Sequence, residues 1–255
     1  MRRLMLGALA GGMLAATLMA VPASAATVGS TAAAAKASSG ETYLRKSFTR
    51  ERTSPGDRDV SPTRIKHVRE LQYRLRWANV FDGGVTGTYG PATTKAVKKF
   101  QKRAGLTQSG IANHTTWRRL IKATVRAKSS IPRRCKDRGW NACYDRKRHR
   151  VTLWRNGTLH NEWLVRGGGT AYKTRTGDYS VFRRSKDHVS TIYETKMPYA
   201  QFFSGGQALH ASYYMVDPFQ GHSHGCVNMY IKDATQLWNL TAKSKLKVHV
   251  YGAWS

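Results

Sequence analysis

The sequence predicts a multidomain chain in which a small three-helix bundle, residues 61–125, precedes a mostly β domain, residues 141–255. In the first region apolar side chains recur at three- and four-residue spacing, the period of one face of an α-helix. In the second region, short β-branched and aromatic runs are bounded by turn residues, a pattern typical of strands. A chain of 255 residues, less an N-terminal leader, has room for about two domains.

Residues 1–25 predict a signal peptide. A basic start with arginines at positions 2 and 3 is followed by an apolar stretch over 4–21 and by the small-residue cleavage site Ala-Ser-Ala at 23–25. An uncleaved membrane anchor is the rival interpretation, and Pro22 and the cleavage site favour removal. We therefore expect a secreted, cell-wall-associated protein with no stable membrane span after signal cleavage.

Two segments are interpreted as linkers. Residues 26–60 are rich in Ala, Ser, Thr and basic residues without apolar periodicity, which predicts a flexible tether rather than an Ala-rich helix. Residues 126–140 then connect the helical region to the β region.

Three helices are expected between residues 61 and 125. The second begins at Pro91, a residue suited to the first helical position, and Gly105 closes it. The apolar positions are Val68, Leu71 and Leu75 in the first helix, Ala96, Val97 and Phe100 in the second, and Trp117, Leu120 and Ile121 in the third. A weak repeat at an offset of 23 relates Gly87 to Gly110, which predicts that both loops turn into their helices in the same way.

The pattern VRELQ…G…YGPAT…AV…FQ…GL…G…TW…L covers about residues 65–121 and resembles the peptidoglycan-binding domain found beside many cell-wall enzymes. The resemblance implies peptidoglycan as the ligand. The chain departs from that family at Thr86, where an Asp is usual in the loop. An inert helical spacer is the alternative.

The β region begins with a predicted hairpin. VTLW-RNGT-LHNEWLV places two strand-like runs around Asn156-Gly157, a strong hairpin signal. Further strands are expected in GDYSVF, HVSTIY, QALH and LKVHVY. One amphipathic helix intervenes, with its apolar side formed by Ile231, Ala234, Leu237, Trp238 and Thr241.

The segment GHSHGCVN, residues 221–228, carries the chemistry. Cys226 becomes a nucleophile where a nearby base or a positive environment favours its thiolate, and His210 ends an apolar run sixteen residues upstream. Gly225 would free a backbone amide for an oxyanion. A buried, inert cysteine is the alternative, as is a zinc ligand, but no Cys-x-x-Cys or acidic partner lies nearby and no metal is predicted.

The blocks MPYAQFFSGGQALH and SHGCVN resemble the catalytic domain of the L,D-transpeptidases, the YkuD type, over about residues 141–253. The chain departs at Arg175, where many members have Pro. The resemblance implies that Cys226 attacks the carbonyl between the third residue of a peptidoglycan stem and its terminal D-amino acid. It implies His210 as the base, with its other nitrogen held by the Ala211 carbonyl.

The same resemblance implies the remaining roles. Backbone amides at Gly225 and Cys226, helped by His224, would stabilise the oxyanion, and Ser223 and Asn228 are expected to bind substrate. Whether His210 or His224 is the dominant base stays open. No metal, ATP or other cofactor is implied.

The implied function is transfer of a stem to a side-chain amine of another stem, which forms 3-3 cross-links. Two alternatives remain: an L,D-carboxypeptidase that hydrolyses the same acyl-enzyme, and a non-catalytic cell-wall-binding protein. The cysteine count fits the enzyme, because Cys135 and Cys143 can form a disulfide outside the cell and leave Cys226 free.

The charge predicts the partners. The formal charge is +29, and removal of the two leader arginines leaves +27, which favours a polyanionic partner. Outside a cell these are anionic cell-wall polymers and membrane headgroups, beside the stem peptides themselves. Nucleic acid is not expected, because the chain is exported and has no recognition motif.

Overall fold

The structure, a computed structural model, describes residues 42–125 and 131–253. The predicted signal peptide and the first part of the predicted tether lie outside these residues. The described chain has a helical part followed by a mostly β part, as the sequence predicted. Within the described ranges, no helix combines the length and apolarity needed to cross a membrane.

Three α-helices form the N-terminal bundle. They are α1 (Val68–Trp77), α2 (Pro91–Arg103) and α3 (His114–Thr124). Pro91 occupies the start of α2, where its missing N–H leaves no hydrogen bond unmade. The predicted apolar positions are buried in one shared core, whose centre is formed by Leu71, Leu75, Val97, Phe100, Trp117 and Leu120.

The two loops of the internal repeat are held in the same way. The side-chain oxygen of Gln72 accepts the amide of Gly87, and that of Gln101 accepts the amide of Gly110, each at 2.9 Å. Both glycines have positive φ, +75° and +71°, a conformation that other residues adopt at a cost. A buried glutamine from the preceding helix therefore fixes each loop.

The tether prediction is wrong from residue 42 onward. A 3-10 turn spans Thr42–Arg45, and Thr53 pairs with Ala112 of the bundle. The Arg50 side chain is fully buried and donates to Glu70 at 2.8 Å. This segment buries polar groups in satisfied hydrogen bonds rather than an apolar face, so it has no periodicity for a sequence pattern to detect.

The β part contains two sheets. The first has five strands in the order β3-β2-β1-β9-β4, and the second has the order β5-β6-β7-β8. The strands are β1 (Trp140–Asp145), β2 (Arg150–Arg155), β3 (Thr158–Leu164), β4 (Gly177–Ser180), β5 (Arg183–Val189), β6 (Lys196–Ser204), β7 (Gln207–Ala211), β8 (Val227–Met229) and β9 (Leu246–Tyr251). Helix α4 (Ile231–Thr241) shares their core, with Leu237 packed among side chains from both sheets.

Most predicted strands are present, and one is present only in part. Asn156 and Gly157 form the turn between β2 and β3, both with positive φ as a tight hairpin turn requires. In HVSTIY, however, only His188 and Val189 belong to a strand. The rest turns the chain from β5 into β6, where the Ser190 hydroxyl accepts the amides of Ile192 and Tyr193.

The second linker prediction is also wrong where the structure describes it, over 131–140. Ile131 and Cys135 are buried in a small cluster with Cys143 and Trp154, and a 3-10 turn spans Arg133–Lys136. A disulfide joins Cys135 to Cys143 on β1. The cross-link ties this segment to the first sheet.

The two parts share a buried network of charges. Glu70 of α1 lies between Arg50 and Arg74, and Arg74 reaches Glu162 of β3 at 3.1 Å. All four side chains are at most 1% exposed. Because each buried charge has a partner of opposite sign, the network holds the helical part against the β part.

His67 belongs to the same network. Its two ring nitrogens lie 3.2 Å from Glu51 and 3.1 Å from Asp233. Burial alone would lower the pKa of His67, but these two carboxylates outweigh it and raise the pKa to about 9. His67, Glu70 and Asp233 have the donor atoms of a metal site. The protonated ring and the intervening guanidinium of Arg50 make them an ion network instead.

This network predicts a pH-dependent stability. The pKa of His67 is higher in the folded state than its ordinary 6.5, so its contribution is complete below pH 6.5 and is lost as pH rises through about 9. We expect the free energy of unfolding to fall by up to about 3 kcal/mol over that window. Urea unfolding between pH 6 and 10 measures it. His67→Gln should remove the dependence and His160→Gln should keep it; an unchanged slope in His67→Gln would contradict the assignment.

Candidate active site

The parallel pair of β7 and β8 aligns three of the predicted site residues. His210 of β7 lies directly opposite Asn228 of β8. Cys226 precedes Asn228 by two residues, and alternate residues of an extended chain face the same side of a sheet. His210, Asn228 and Cys226 therefore share one face, and all three line one cleft.

This cleft has a volume of about 720 Å³. Its walls come from the turn between β5 and β6, from β7, from the loop 212–226 and from Arg166, which follows β3. The predicted residues that line it are Ser223, His224, Cys226, Asn228 and His210. The structure thus brings five of the six predicted catalytic and substrate-binding residues to one cavity, and the sixth, Gly225, lies between two of them.

His210 is held as a neutral imidazole. Its ring is buried, and Nδ1 lies 2.7 Å from the Ala211 carbonyl oxygen. A carbonyl can only accept, so Nδ1 carries the proton and Nε2 keeps its lone pair. Burial lowers the pKa of His210 to about 4, and the charges of His188 and Arg166 act in the same direction. The ring is consequently uncharged near neutral pH.

Cys226 is a free, half-buried thiol. Its Sγ donates to the Gly206 carbonyl at 3.7 Å and makes no hydrogen bond to His210. Burial raises the pKa of the thiol above its ordinary value, although a backbone hydrogen bond and the charge of Arg175 act against this. The resting site therefore holds a neutral thiol beside a neutral imidazole, where an activated thiolate was one sequence-based expectation.

Ser223 is used within the loop. Its hydroxyl donates to the Cys226 carbonyl at 2.6 Å and accepts the Gly225 amide at 3.1 Å. The Gly225 amide, expected to be free for an oxyanion, is thus engaged. Among the described residues, the amide of Cys226 donates to no protein group. Gly225 has φ +109°, so its conformation is the feature that turns the chain sharply before the cysteine.

A glycine run, Gly167 to Gly169, supports the cysteine loop and was missed in the sequence. Ser223 donates its amide to the Gly167 carbonyl at 2.8 Å, and Gly169 donates to the Ser223 carbonyl at 3.0 Å. A Cβ on Gly168 would lie 2.8 Å from the Cα of Gly225, closer than real side chains approach. The run VRGGGT was the available signal, because consecutive glycines after a strand often mark a close backbone approach.

His224 and Asn228 are placed differently from each other. The exposed His224 ring stacks on Tyr193 at 4.5 Å and meets Tyr172 edge-on at 4.7 Å. It forms an aromatic wall of the cleft, and no hydrogen bond from its ring is present in the described chain. Asn228 is buried; its Nδ2 donates to Ser212 at 3.3 Å, and its Oδ1 has no partner.

Comparisons with known proteins agree with this geometry. Residues 141–250 match the family model of the L,D-transpeptidase catalytic domain (YkuD), and residues 65–120 match that of a peptidoglycan binding domain. A crystal structure of an L,D-transpeptidase (Yku) from Stackebrandtia nassauensis is 24% identical, with 82% of this chain and 98% of that chain covered and a TM-score of 0.51. At that identity the likeness concerns the fold alone.

Two further similarities were found. The L,D-transpeptidase structure from Xylanimonas cellulosilytica is 26% identical over 78% of this chain and 96% of its own, with a TM-score of 0.46. The spore cortex-lytic enzyme of Bacillus cereus is 40% identical over 63 residues. That match spans 25% of this chain and only 24% of the curated relative.

The chain thus has a modular design, in which a region that matches a peptidoglycan binding domain precedes a region that matches an L,D-transpeptidase catalytic domain. Residues 141–250 are therefore similar to the L,D-transpeptidase catalytic domain (YkuD), and residues 65–120 to a peptidoglycan binding domain.

The neutral state of the cysteine predicts its alkylation profile. Thiolate is the reactive form, so iodoacetamide should modify Cys226 slowly at pH 7 and about tenfold faster per pH unit up to and beyond pH 9. A thiolate–imidazolium pair would instead give a rate that is level from pH 5 to 8. Mass spectrometry of the alkylated peptide measures the rate. His210→Ala should keep the profile, and a level rate in the unaltered protein would contradict the neutral pair.

Proposed function

We propose that the protein is an exported peptidoglycan L,D-transpeptidase with Cys226 as its nucleophile. The observation that carries the proposal is the pairing, in one cleft, of the one cysteine outside a disulfide in the described chain with a buried imidazole whose Nε2 is unprotonated. General base catalysis requires such a nitrogen, and a thiol requires such a base near neutral pH.

The reaction begins when the thiol proton turns from Gly206 to Nε2 of His210. The sulfur then bonds to the carbonyl carbon of the third stem residue, and the C=O π electrons move onto oxygen. The free amide of Cys226 is the donor that can bind this oxyanion. Collapse breaks the C–N bond, and His210 returns the proton to the departing nitrogen. The products are a thioester on Cys226 and a free D-amino acid.

The second half-reaction resolves the thioester. A side-chain amine of another stem attacks the carbonyl carbon, and His210 accepts the amine proton. The C–S bond then breaks, and the departing sulfur receives that proton from His210. The original thiol proton leaves with the D-amino acid and the acceptor amine supplies its replacement, so Cys226 and His210 end as they began and neither metal nor ATP is needed. His210 is proposed as the base rather than His224, because the His224 ring stacks on Tyr193, meets Tyr172 edge-on and has, among the described residues, no hydrogen bond to orient it as a base.

The helical domain is proposed to bind the wall. Over residues 61–125 it has 13 Lys and Arg residues against two acidic residues, a net charge of +11, which suits peptidoglycan and anionic wall polymers. The signal sequence and the disulfide support export, since disulfides persist in oxidising compartments.

Substitution of the two central residues tests the nucleophile. Cys226→Ala should abolish release of the D-amino acid from tetrapeptide stems, and His210→Ala should slow it by about 10²–10⁴-fold because the base is removed. His224→Ala should cost much less. Thermal unfolding of each variant provides the control for folding. Substantial turnover by Cys226→Ala would exclude the assignment, and a greater loss in His224→Ala than in His210→Ala would exchange the two histidines.

The product distinguishes transfer from hydrolysis. An amine positioned in the cleft has a large effective concentration, and it attacks thioesters readily, so it competes well with water. Purified enzyme given tetrapeptide-stem disaccharides should yield dimers joined between the third residues of two stems. Mass spectrometry with fragmentation across the cross-link identifies them. Tripeptide monomers as the only product at high acceptor concentration would make the protein an L,D-carboxypeptidase, and no product at all would favour a wall-binding role.

A further inference from the structure

Arg166 is a buried arginine without an acidic partner in the wall of the cleft. Its residue is 8% exposed, and its guanidinium donates one hydrogen bond, from Nη1 to the Gln220 carbonyl at 3.3 Å. Its Nε has no partner. Over 42–125 and 131–253, no carboxylate lies within ion-pair distance of it. An arginine offers five N–H donors, so most of this group's capacity is unused.

The other buried arginines of the described chain are all paired. Arg50, Arg74 and Arg150 each lie against a glutamate, at distances of 2.8, 2.7 and 3.5 Å. Taking a charge out of water without a counter-ion is costly, and folded chains avoid it unless a ligand supplies the partner. Arg166 is therefore the exception that needs an explanation.

The cleft around Arg166 is positive. Arg175, Arg183 and Lys196 also line it, and among the described lining residues there is no Asp or Glu. Such a surface attracts an anionic ligand. The unpaired Oδ1 of the neighbouring Asn228 adds an acceptor for an N–H group, so the wall offers both donor and acceptor to a peptide end.

Arg166 lies next to the proposed base. Its backbone exchanges hydrogen bonds with Asn228 at 3.0 and 2.8 Å, and Asn228 is the direct neighbour of His210 across β7 and β8. The departing amine must reach His210 to be protonated. In an amino acid the carboxylate carbon is only about 2.5 Å from the amine nitrogen. The carboxylate of the departing residue must therefore lie close to His210 as well.

We propose that Arg166 binds the terminal carboxylate of the donor stem, as a specificity-determining residue for the D-amino acid that leaves. The proposal rests on the proposed function. The predicted ligand is a peptide in which the residue directly after the scissile bond carries a free carboxylate. A stem extended by one more residue has a neutral amide at that position and leaves the guanidinium unpaired.

Binding of the carboxylate also affects the base. The positive charge of Arg166 contributes to the low pKa of His210, after the larger effect of burial. A bound carboxylate neutralises that charge, so His210 becomes a stronger base once a correct donor is present. Acylation would thus start only after the cleft is occupied.

The test compares two soluble donors, a stem tetrapeptide with a free terminal carboxylate and the same peptide with a terminal carboxamide. Release of the D-amino acid or of its amide gives kcat/KM for each. The unaltered enzyme should prefer the free acid by roughly 10- to 100-fold, the value of charged hydrogen bonds. Arg166→Gln should bring the ratio near one by losing rate on the free acid alone, and Arg166→Lys should retain part of it.

Arg183→Gln is the matched control. Arg183 lines the same cleft but is exposed, with its guanidinium 4.2 Å from the centre of the Phe202 ring. Its loss removes an equal charge and should leave the preference between the two donors intact. An equal loss of preference in both variants would make the effect general electrostatics and would overturn the assignment.

Two further outcomes would overturn it. If Arg166→Gln slows both donors equally, the residue only supports the loop through Gln220. If the unaltered enzyme prefers the free acid by less than about threefold, the carboxylate subsite does not exist. This measurement uses only the unaltered protein and does not depend on whether a variant folds. Absence of any acyl-enzyme on Cys226 with either donor is distinguishable from both, because it overturns the proposed function itself.

Discussion

Removing Arg50, Glu70, Arg74 and Glu162 from water together is possible only because each charge meets an opposite one within 3.1 Å. Arg50 sits before the bundle, Glu70 and Arg74 on α1, and Glu162 on a strand of the catalytic domain. Loss of one partner would leave a buried charge uncompensated, at a cost of several kcal/mol. Because the network joins residues of the helical part to Glu162 of β3, the relative placement of the two domains depends on it.

One consequence reaches the active site. On the α1 side that faces the catalytic domain, the Tyr73 hydroxyl donates to Asp217 at 3.1 Å, and its ring packs on Phe219 at 4.5 Å. Both partners belong to the loop that leads into the cysteine motif, and Gln220 of the same loop accepts from Arg166. The helical domain therefore supports the loop that carries Cys226, which a flexible tether between the two domains would not do.

The sequence was sufficient where burial is apolar and periodic. Leu71 and Trp117 predicted their helices, and Asn156 predicted its turn. Apolar periodicity and turn-forming residues can both be recognised within a short stretch of sequence. The motif around Cys226 could be recognised for a different reason, because it places chemically reactive residue types close together in the sequence. The burial of polar side chains could not be predicted. In the sequence Arg50 does not differ from an exposed arginine, and only the fold places it against its partner Glu70. The state of the thiol was equally hidden, since burial decides its pKa.

That neutral state suits the proposed role of an exported enzyme. A thiolate is the form that exchanges with disulfides and is oxidised, and outside the cell nothing would reduce it again. Burial raises the pKa of Cys226 and lowers that of His210, so both groups are uncharged near neutral pH while the cleft is empty. In the proposed reaction, a donor peptide would exclude water from the cleft and present a carbonyl to the sulfur, and once Arg166 is neutralised the imidazole would be a better base. Reactivity would then arise with the substrate rather than before it, and a free cysteine would be compatible with the oxidising compartment that the proposed export implies.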